Sequence, residues 1–406
     1  MVPPKGHLSS AMAEAGGEHS LVETKDGRVW SAGACGLGWC RAKDMVKELF
    51  GWREVKLPEP VVSTIASFYH NLAIGRSGKL WAWGCGTFTD GKNDGVIPAL
   101  GPCTLEDLGA APHIVPLPGG QLPTSLAAGA YHSVVLTKDK EVLTFGAAQL
   151  GQLGRAVPGS KEGSPLDTDS NGLPIDARPA PVQGLPKADP PLTIGAGFYN
   201  TLVACRSGAL FCSGENQNQQ CGKGPSNLMG MTKVGALEGT AVKRAEGGYC
   251  HTLVLTKDGR VLSLGCGDDG QRGDGKDPDD ATRPLLTPVA LPAGERASDV
   301  AAGANHSLVL TTNGTVYAFG SNEFGQCGTG NNDGEPVPSP TPVMAPAGSS
   351  GRFVSVSAGY AHTLLKDDQG GIFVCGQNEN GQLGLGSRHF DSPADMPEPK
   401  KVDLPR

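Results

Sequence analysis

The stretch AGANHSLVLTTNGTVYAFGSNEFGQCGTG, residues 302–330, decides the fold because near copies of it recur along the chain. It contains two runs of strand-forming residues, His306 to Thr311 and Thr315 to Phe319, which are joined by Asn313-Gly314. Two such runs around an Asn-Gly pair are typical of a β-hairpin with a tight primed turn. Each copy is therefore predicted to form one hairpin.

Seven copies share one polar position, which is histidine in six of them and asparagine in the other. The copies are spaced by 51 to 68 residues, and the position is filled by His19, His70, His132, Asn200, His251, His306 and His362. The hairpins are predicted near residues 15–38, 66–86, 128–154, 196–222, 247–273, 302–330 and 358–386. A repeat of this length with two strand-like runs in each copy is the signature of a propeller or a solenoid.

The strand that follows each hairpin turn is apolar on both faces. Adjacent positions carry Val316 and Tyr317 in the sixth copy, and Ile372 and Phe373 in the seventh. A strand with one face in water would alternate apolar and polar residues, so each hairpin is predicted to be packed between neighbouring sheets. A Val-x-Leu-Pro element and the segment before the glycine, as in residues 353–358, complete a sheet of four strands.

The C-terminal strand is predicted to close the ring. Residues 1–14 contain no Val-x-Leu-Pro element, whereas Val402 to Pro405 supplies one, as though the last strand belonged to the first blade. The expected fold class is therefore all-β, a single propeller domain over residues 1–406 with seven four-stranded blades. Deleting residues 399–406 is expected to lower the melting temperature.

The hairpin turns hold one exception to the usual glycine. The first copy carries Asp26-Gly27 and the fifth Asp258-Gly259, whereas the third carries Asp139-Lys140. Glycine tolerates positive φ best, so replacing Lys140 by glycine is expected to be neutral or stabilising.

The repeat pattern resembles that of the regulator of chromosome condensation family. Ala-Gly-x-x-His-Ser/Thr-x-x-Leu is followed by Asp/Asn-Gly-x-Val and by Phe-Gly-x-Asn-x-x-Gly-Gln-x-Gly, and the match is best at Gly303 to Gly330 and at Gly359 to Gly386. The resemblance implies a seven-bladed β-propeller. Members of this family include a nucleotide exchange factor for a Ran-type GTPase, an ultraviolet-B receptor and many adaptors, so the resemblance does not fix the function.

The composition argues against several classes of partner. Charged residues make up 18% of the chain and the net charge is -7, without a run of lysines and arginines that could follow a phosphate backbone. No apolar run approaches the roughly 18 residues that span a bilayer. Eleven cysteines lack the paired spacing of a disulfide framework or of a zinc site. We therefore expect no nucleic acid, no membrane insertion and a cytoplasmic location with reduced thiols.

No catalytic, cofactor or metal site is predicted. The segment Gly265 to Gly270 matches G-x-G-x-x-G, but an acidic, turn-rich loop follows it where a phosphate site needs a helix. An active site needs one such histidine, whereas six of the seven copies carry one. Each repeated histidine is therefore interpreted as structural, with its ring bonded to nearby backbone. A shared metal ion is the alternative, and the separation of blades opposes it.

The segments that depart from the repeat are predicted to carry the function. An insert at residues 39–53 on blade 1 places Met45, Leu49 and Phe50 at helical spacing close to Trp52, and it either packs on its own blade or docks a partner.

The acidic run that contains Asp268 and Asp269 is either a solvated loop or a contact for a basic patch. Long loops at residues 87–122 and 155–191 are rich in proline, glycine and aspartate, as expected on a propeller face.

The predicted function is a non-enzymatic platform for protein-protein interaction, an adaptor or scaffold subunit that uses the loops of a propeller face. The alternative is a guanine nucleotide exchange factor for a small GTPase of Ran type, which the resemblance implies. In that relative a protruding element of the third blade wedges against the GTPase, and the loop at residues 155–191 lies in a comparable place.

Overall fold

The computed structural model describes residues 13–33, 51–84, 87–89, 94–96, 111–157, 175–276, 285–331, 333–346, 348–386 and 395–405. Within these ranges, seven antiparallel sheets of four strands form the blades of a propeller, and one further sheet has two strands. The seven-bladed, all-β fold predicted from the repeat is therefore confirmed.

The first three blades are formed as follows. Blade 1 consists of β1 (Ala13–Ala15), β2 (His19–Glu23), β3 (Val29–Gly33) and β4 (Arg53–Val55). Blade 2 consists of β5 (Val61–Ala66), β6 (His70–Gly75), β7 (Leu80–Gly84) and β10 (His113–Val115), and the two-stranded sheet β8 (Thr87–Thr89) and β9 (Asp94–Val96) lies between β7 and β10 in the sequence. Blade 3 consists of β11 (Pro123–Ala128), β12 (His132–Thr137), β13 (Val142–Ala147) and β14 (Ile175–Pro181).

The last four blades follow the same order. Blade 4 consists of β15 (Pro191–Ala196), β16 (Asn200–Cys205), β17 (Leu210–Gly214) and β18 (Leu228–Lys233). Blade 5 consists of β19 (Val242–Gly247), β20 (His251–Thr256), β21 (Val261–Gly265) and β22 (Leu286–Pro288). Blade 6 consists of β23 (Ala297–Ala302), β24 (His306–Thr311), β25 (Val316–Gly320) and β26 (Val337–Pro342). Blade 7 consists of β27 (Phe353–Ala358), β28 (His362–Asp367), β29 (Ile372–Gly376) and β30 (Met396–Val402).

Two short 3₁₀ turns, Pro118–Gly120 and Gly235–Leu237, lie in the connections between blades. The first strand of each blade lines a central channel, and the fourth strand is the outermost.

The hairpin turn differs from the predicted primed turn. In blade 6 the Gly314 N–H donates to Thr311 O and the Thr311 N–H donates to Thr315 O, so three residues form the turn. A two-residue type I′ turn would need positive φ at both central residues. Here Gly314 has φ +91°, and Asn313 is not among the described residues with positive φ. In blade 3 the equivalent residue, Lys140, adopts φ +66°.

Apolar side chains fill the space between adjacent blades. Between blades 6 and 7, Leu308 and Val316 pack with Phe353 and Phe373, and all four side chains are buried. Burying a leucine or phenylalanine side chain stabilises a fold by about 1.5–3 kcal/mol. Because strands β24 and β25 are buried along their whole length, the interpretation that both faces of each hairpin are covered by neighbours holds.

The ring closes by packing of blade 1 on blade 7. The C-terminal strand β30 completes a four-stranded blade, but the blade is the seventh, because Val402 pairs with Ile372 of β29. The expectation that it joins the first blade is wrong: Val55 of β4, which begins the Val-x-Leu-Pro element of blade 1, pairs with Val29 and takes that place. Val402 nevertheless contributes to closure, since it packs in one cluster with Trp30 of blade 1.

Cysteine pairing also differs from the expectation. Cys212 is bonded to Cys221 and Cys250 to Cys266, with Cα atoms 5.6 Å apart in each pair. The spacing of the cysteines along the chain gave no sign of these pairs. Each pair joins a cysteine to a second one in a loop of the same blade. The prediction of reduced thiols is therefore wrong for these four residues. The free thiols in the described ranges are buried and belong to Cys205, Cys327 and Cys375. The cytoplasmic location stays a prediction.

Candidate protein-interaction surface

The repeated histidines form hydrogen bonds between blades. The Nε2 atom of His306 lies 3.0 Å from Thr363 Oγ1 in blade 7, and that of His362 lies 2.9 Å from Ser20 Oγ in blade 1. The other pairs, at 2.6 to 2.9 Å, are His19 with Asn71, His70 with Ser133, His132 with Thr201 and His251 with Ser307. The structural interpretation agrees with this geometry, but the partner is a side chain of the next blade instead of nearby backbone.

The partners of the acceptor groups assign the tautomer of the rings. Thr363 Oγ1 donates to Gln326 O at 2.7 Å, so its own proton is used and His306 Nε2–H must donate to it. Asn71 Oδ1 is an acceptor only, so His19 donates in the same way. Burial lowers the pKa of His306 to about 4 and that of His251 to about 3. A buried neutral histidine that donates a hydrogen bond to the next blade stabilises the contact between the two blades.

One link of this series is missing. Asn200 is too short to act like histidine toward the next blade, and its Oδ1 accepts from the Gly197 N–H at 2.9 Å within its own loop. The hydroxyl of Thr252, the expected partner in blade 5, is fully buried and has no hydrogen bond. The junction between blades 4 and 5 is therefore held without the bond that the other junctions have.

Six backbone hydrogen bonds and one from the Ser67 hydroxyl tie the loops after the first strands into a closed circle. The links are Gly17 N to Ser67 O, Ser67 Oγ to Gly129 O, Ala130 N to Phe198 O, Phe198 N to Gly248 O, Tyr249 N to Ala304 O, Ala304 N to Gly359 O, and Tyr360 N to Gly16 O. A glycine is required three residues before the histidine: a Cβ on Gly303 would clash with the His306 ring and with Gly359 O. These loops are held rigidly because each is bonded to its neighbours.

Two opposite faces follow from the antiparallel order of the strands. We call the face formed by the loops between the first and second strands and between the third and fourth strands the loop face. The face formed by the hairpin turns between the second and third strands is the turn face. In blades 3 to 7 the loop after the third strand begins with a bond to the short loop after the first strand, as in Cys266 N to Cys250 O and Glu215 N to Tyr199 O.

Aromatic side chains gather at the centre of the loop face. This aromatic cluster consists of Phe68, Tyr69, Tyr131, Phe198, Tyr199, Tyr249 and Tyr360. The ring centroids of Phe68 and Phe198 are 5.5 Å apart, and Tyr360 lies 5.4 Å from Phe68, so the three rings cover this end of the channel. Tyr249 and Tyr360 remain 47% and 43% exposed. The sequence analysis missed this cluster.

Carboxylates from five of the seven blades lie on the same face as the cluster. This acidic rim consists of Glu18, Glu215, Asp268, Asp269, Glu323 and Glu379, from blades 1, 4, 5, 6 and 7. Burial, and then the charges of Asp268 and Glu323, raise the pKa of Asp269. Burial and the charge of Glu379 likewise raise the pKa of Glu18. Like charges on separate loops are therefore held close enough to repel one another.

The channel beneath the cluster contains a second group of charges. The Arg244 Nε atom lies 2.6 Å from Glu246 Oε1, and its Nη1 atom lies 3.0 Å from Asp299 Oδ1. Burial raises the pKa of Glu14 to about 8, and the Ser357 hydroxyl donates to it at 3.2 Å. Each of these groups has a protein partner, so they are part of the channel wall. Among the described residues, no group of three or more histidines, cysteines or carboxylates could hold a metal ion.

The predicted site residues differ in their exposure, and some of them lie outside the described residues. Asp268 is exposed and Asp269 half-buried on the loop face. Trp52, predicted as a partner contact, is only 6% exposed because it packs in the contact between blades 1 and 7, where its ring touches Gly384. Met45, Leu49 and Phe50 lie outside the described residues. No described helix is long and apolar enough to cross a bilayer.

Comparisons with known proteins agree with the fold. The description "Regulator of chromosome condensation (RCC1) repeat" matches residues 258–310, 313–365 and 369–406, and a second form matches residues 124–152, 242–271, 297–326 and 353–382. The crystal structure of Prp20p from Saccharomyces cerevisiae aligns with a TM-score of 0.75 and 23% identity over 98% of this chain and 87% of that chain. At this identity the alignment supports the fold alone.

Two curated relatives show the range of proteins that carry such repeats. Probable E3 ubiquitin-protein ligase HERC6 from Homo sapiens is 32% identical over 269 residues, 66% of this chain and 24% of that protein. The ultraviolet-B receptor UVR8 from Arabidopsis thaliana is 28% identical over 333 residues, 81% of this chain and 68% of that protein. The chain thus spans about a quarter of the length of HERC6.

Fold and contacts together define a propeller in which the repeated polar residues hold the blades to one another. The exposed aromatic and acidic side chains described above lie on the loops of one face, the loop face. With its RCC1 repeats and seven blades, the chain belongs to the regulator of chromosome condensation repeat family.

Proposed function

We propose that this protein is a protein-interaction platform, a non-enzymatic adaptor or scaffold subunit whose loop face carries the contacts. The observation that carries the proposal is the pair of exposed tyrosines, Tyr249 and Tyr360, at the centre of a face edged by carboxylates. Aromatic side chains at the centre of a polar surface are typical of protein interfaces.

The support beneath this surface favours recognition with little rearrangement. The circle of hydrogen bonds fixes the loops that carry the aromatic cluster, and its six backbone links measure 2.9 to 3.3 Å. A surface that is ordered before binding loses less conformational entropy when a partner docks. The loop face is therefore suited to a stable contact with another protein.

The names of relatives are compatible with protein partners of several kinds. The Prp20p structure is described with binding properties to Gsp1p and histones, and HERC6 is described as a probable ubiquitin ligase. Neither description assigns a partner to this chain, since one fold can support many interactions. They support only the class of function, binding to other proteins.

Affinity purification of the full chain from native extract tests the proposal. We expect a stoichiometric protein partner that is retained by the wild type and lost when Tyr249 and Tyr360 are both replaced by alanine. Leu192→Ala, at an exposed apolar residue of the first strand of blade 4, is the matched control and should retain the partner. Purification of the chain alone under all conditions would contradict the platform proposal.

A second candidate is nucleotide exchange on a small GTPase of Ran type. It is favoured by the β8–β9 hairpin, which forms a separate two-stranded sheet within the long connection between β7 and β10. In this candidate function the β8–β9 hairpin contacts the GTPase while the propeller binds the same GTPase. The connection lies on the loop face, the same face that carries the aromatic cluster.

Release of a fluorescent nucleotide from a panel of small GTPases distinguishes this candidate. Exchange activity would accelerate release with the wild type, and shortening the β8–β9 hairpin to a glycine linker would remove the effect. A platform without exchange activity leaves the release rate unchanged across the panel.

A further inference from the structure

The two faces of the propeller carry charge differently. On the turn face, five of the seven hairpin turns begin with an exposed lysine or arginine: Lys25, Arg76, Lys138, Arg206 and Lys257. On the loop face, Asp268, Glu323 and Glu379 of the acidic rim are exposed and the other three members are half-buried. Two exposed lysines, Lys223 and Lys276, lie on the loops of blades 4 and 5. The acidic rim and the exposed rings of Tyr249 and Tyr360 lie on the same face, the loop face.

Neighbouring carboxylates of the acidic rim repel one another. The pKa of Asp269 is raised by burial and by two neighbouring carboxylates, and burial also raises the pKa of Glu215. Burial and the charges of Glu379 and Glu323 similarly raise the pKa of Asp395 at the end of the blade 7 loop. A cation placed among these groups would relieve the repulsion between them.

The aromatic cluster supplies the second half of a cation site. Tyr249 lies 5.3 Å from Phe198 and 6.2 Å from Tyr199 between ring centroids, and it comes from the same blade as Asp268 and Asp269. Aromatic faces attract ammonium and guanidinium groups, and the methylene stems of lysine and arginine pack on apolar rings. Carboxylates and ring faces on one surface therefore select the same kind of side chain.

We propose that the loop face binds a segment of a partner protein rich in lysine and arginine, with cationic side chains on the acidic rim and their stems on Tyr249 and Tyr360. This inference rests on the proposed function and names the face and the chemistry of the partner. A second copy of the chain fits poorly, because two acidic faces would repel each other. Anionic lipid is disfavoured for the same reason.

Fluorescence anisotropy with a defined peptide tests the proposal. The probe is a fluorescein-labelled peptide of twelve residues in which arginine and lysine alternate with glycine and serine, and a glutamate-containing peptide of the same length is the control. We expect the full chain to bind the basic peptide alone, with affinity that falls as salt is added. Replacing Tyr249 and Tyr360 together by alanine should weaken binding by about tenfold or more, since two ring contacts are lost.

Charge variants keep the test independent of any folding defect. Asp268→Asn with Glu323→Gln changes exposed residues only, and it should weaken binding several-fold and flatten the salt dependence. The matched control is Asp139→Asn with Asp368→Asn, two exposed carboxylates on the turn face, which should leave the affinity unchanged.

Three results would overturn the proposal: no binding of the basic peptide, equal binding of the glutamate peptide, or an equal loss from the turn-face control. The platform function can fail separately. If a native partner is captured and still binds the Asp268→Asn, Glu323→Gln variant, the platform stands and this assignment of face and chemistry is wrong. If no partner is captured, the proposed function fails whatever the peptide does.

Discussion

A pair of isosteric substitutions tests whether the links between blades stabilise the ring. Thr363 and Thr252 occupy the same repeat position and are fully buried. The Thr363 hydroxyl lies 3.0 Å from His306 Nε2 and donates to Gln326 O at 2.7 Å, whereas the Thr252 hydroxyl has no partner. Replacing each by valine removes the same hydroxyl from two different environments.

The expected effects have opposite signs. Thr363→Val leaves the His306 imidazole N–H buried without a partner. It also removes the hydroxyl donor of the Gln326 carbonyl, which keeps only the weak Cys375 thiol donor at 3.8 Å, and each loss costs about 1–3 kcal/mol. The added methyl group returns about 0.8 kcal/mol through burial, so we expect a net destabilisation of about 1–5 kcal/mol. Thr252→Val removes an unpaired buried hydroxyl and should stabilise the protein by about 1 kcal/mol.

Equilibrium unfolding in urea, followed by tryptophan fluorescence and circular dichroism, measures both variants. The midpoints should move in opposite directions with unchanged dependence on denaturant concentration. A His306→Asn background should reduce the cost of Thr363→Val, since the donor is then absent. Equal changes for the two valine variants would refute the argument that these hydrogen bonds hold neighbouring blades together.

The other predictions concern single groups. Lys140→Gly should leave stability unchanged or raise it by up to about 1 kcal/mol, because Lys140 adopts φ +66°, and a lower melting temperature would count against this. Deleting residues 399–406 should lower the melting temperature markedly, because the buried Val402 leaves the contact between blades 1 and 7; an unchanged transition would contradict the closure described. The folded pKa of His306 is about 4, below the usual 6.5, so its contribution is present above pH 6.5 and is lost as the pH falls toward 4. Urea titrations across that window should show a shallower pH dependence for His306→Gln, by up to about 1.4 kcal/mol per pH unit, and an identical slope would exclude burial of a neutral ring. The folded pKa of Glu14, about 8, lies above its usual 4.5, so its stabilising effect is lost as the pH rises through 8. Glu14→Gln should therefore gain stability relative to the wild type as the pH rises from 4.5 to 8 and keep a constant difference above that, and a difference in urea midpoints that is constant between pH 4.5 and pH 8 would argue against a neutral carboxyl.

The repeat made the fold predictable. Strands that are apolar on both faces, such as residues 316–319, can be buried only between neighbouring sheets, and seven copies then give seven blades. The blade that receives the last strand was assigned wrongly, because a Val-x-Leu-Pro element can stand before or after its hairpin in the chain. Pairing of Val29 with Val55 settles the order, and pairing is a property of three-dimensional structure.

The candidate surface was only partly predictable. Asp268 and Asp269 were identified from a local charge run, and they lie on the loop face. The aromatic cluster was missed although it has a signal: Phe198, Tyr249 and Tyr360 all stand two residues before the repeated polar position. These three rings are 51 residues or more apart in the sequence, and only closure of the propeller brings them together. Trp52 was assigned to a docking surface because its burial depends on blade 7, far away in the chain.

Site-specific photo-crosslinking measures the central claim most directly. A benzophenone amino acid is placed at Tyr249 on the loop face or, as the matched position, at Leu192, and the full chain is irradiated with its native partners present. We expect an adduct from position 249 alone, with a partner peptide that is rich in lysine and arginine. An adduct from position 192 alone, or a partner peptide rich in acidic residues at position 249, would contradict it.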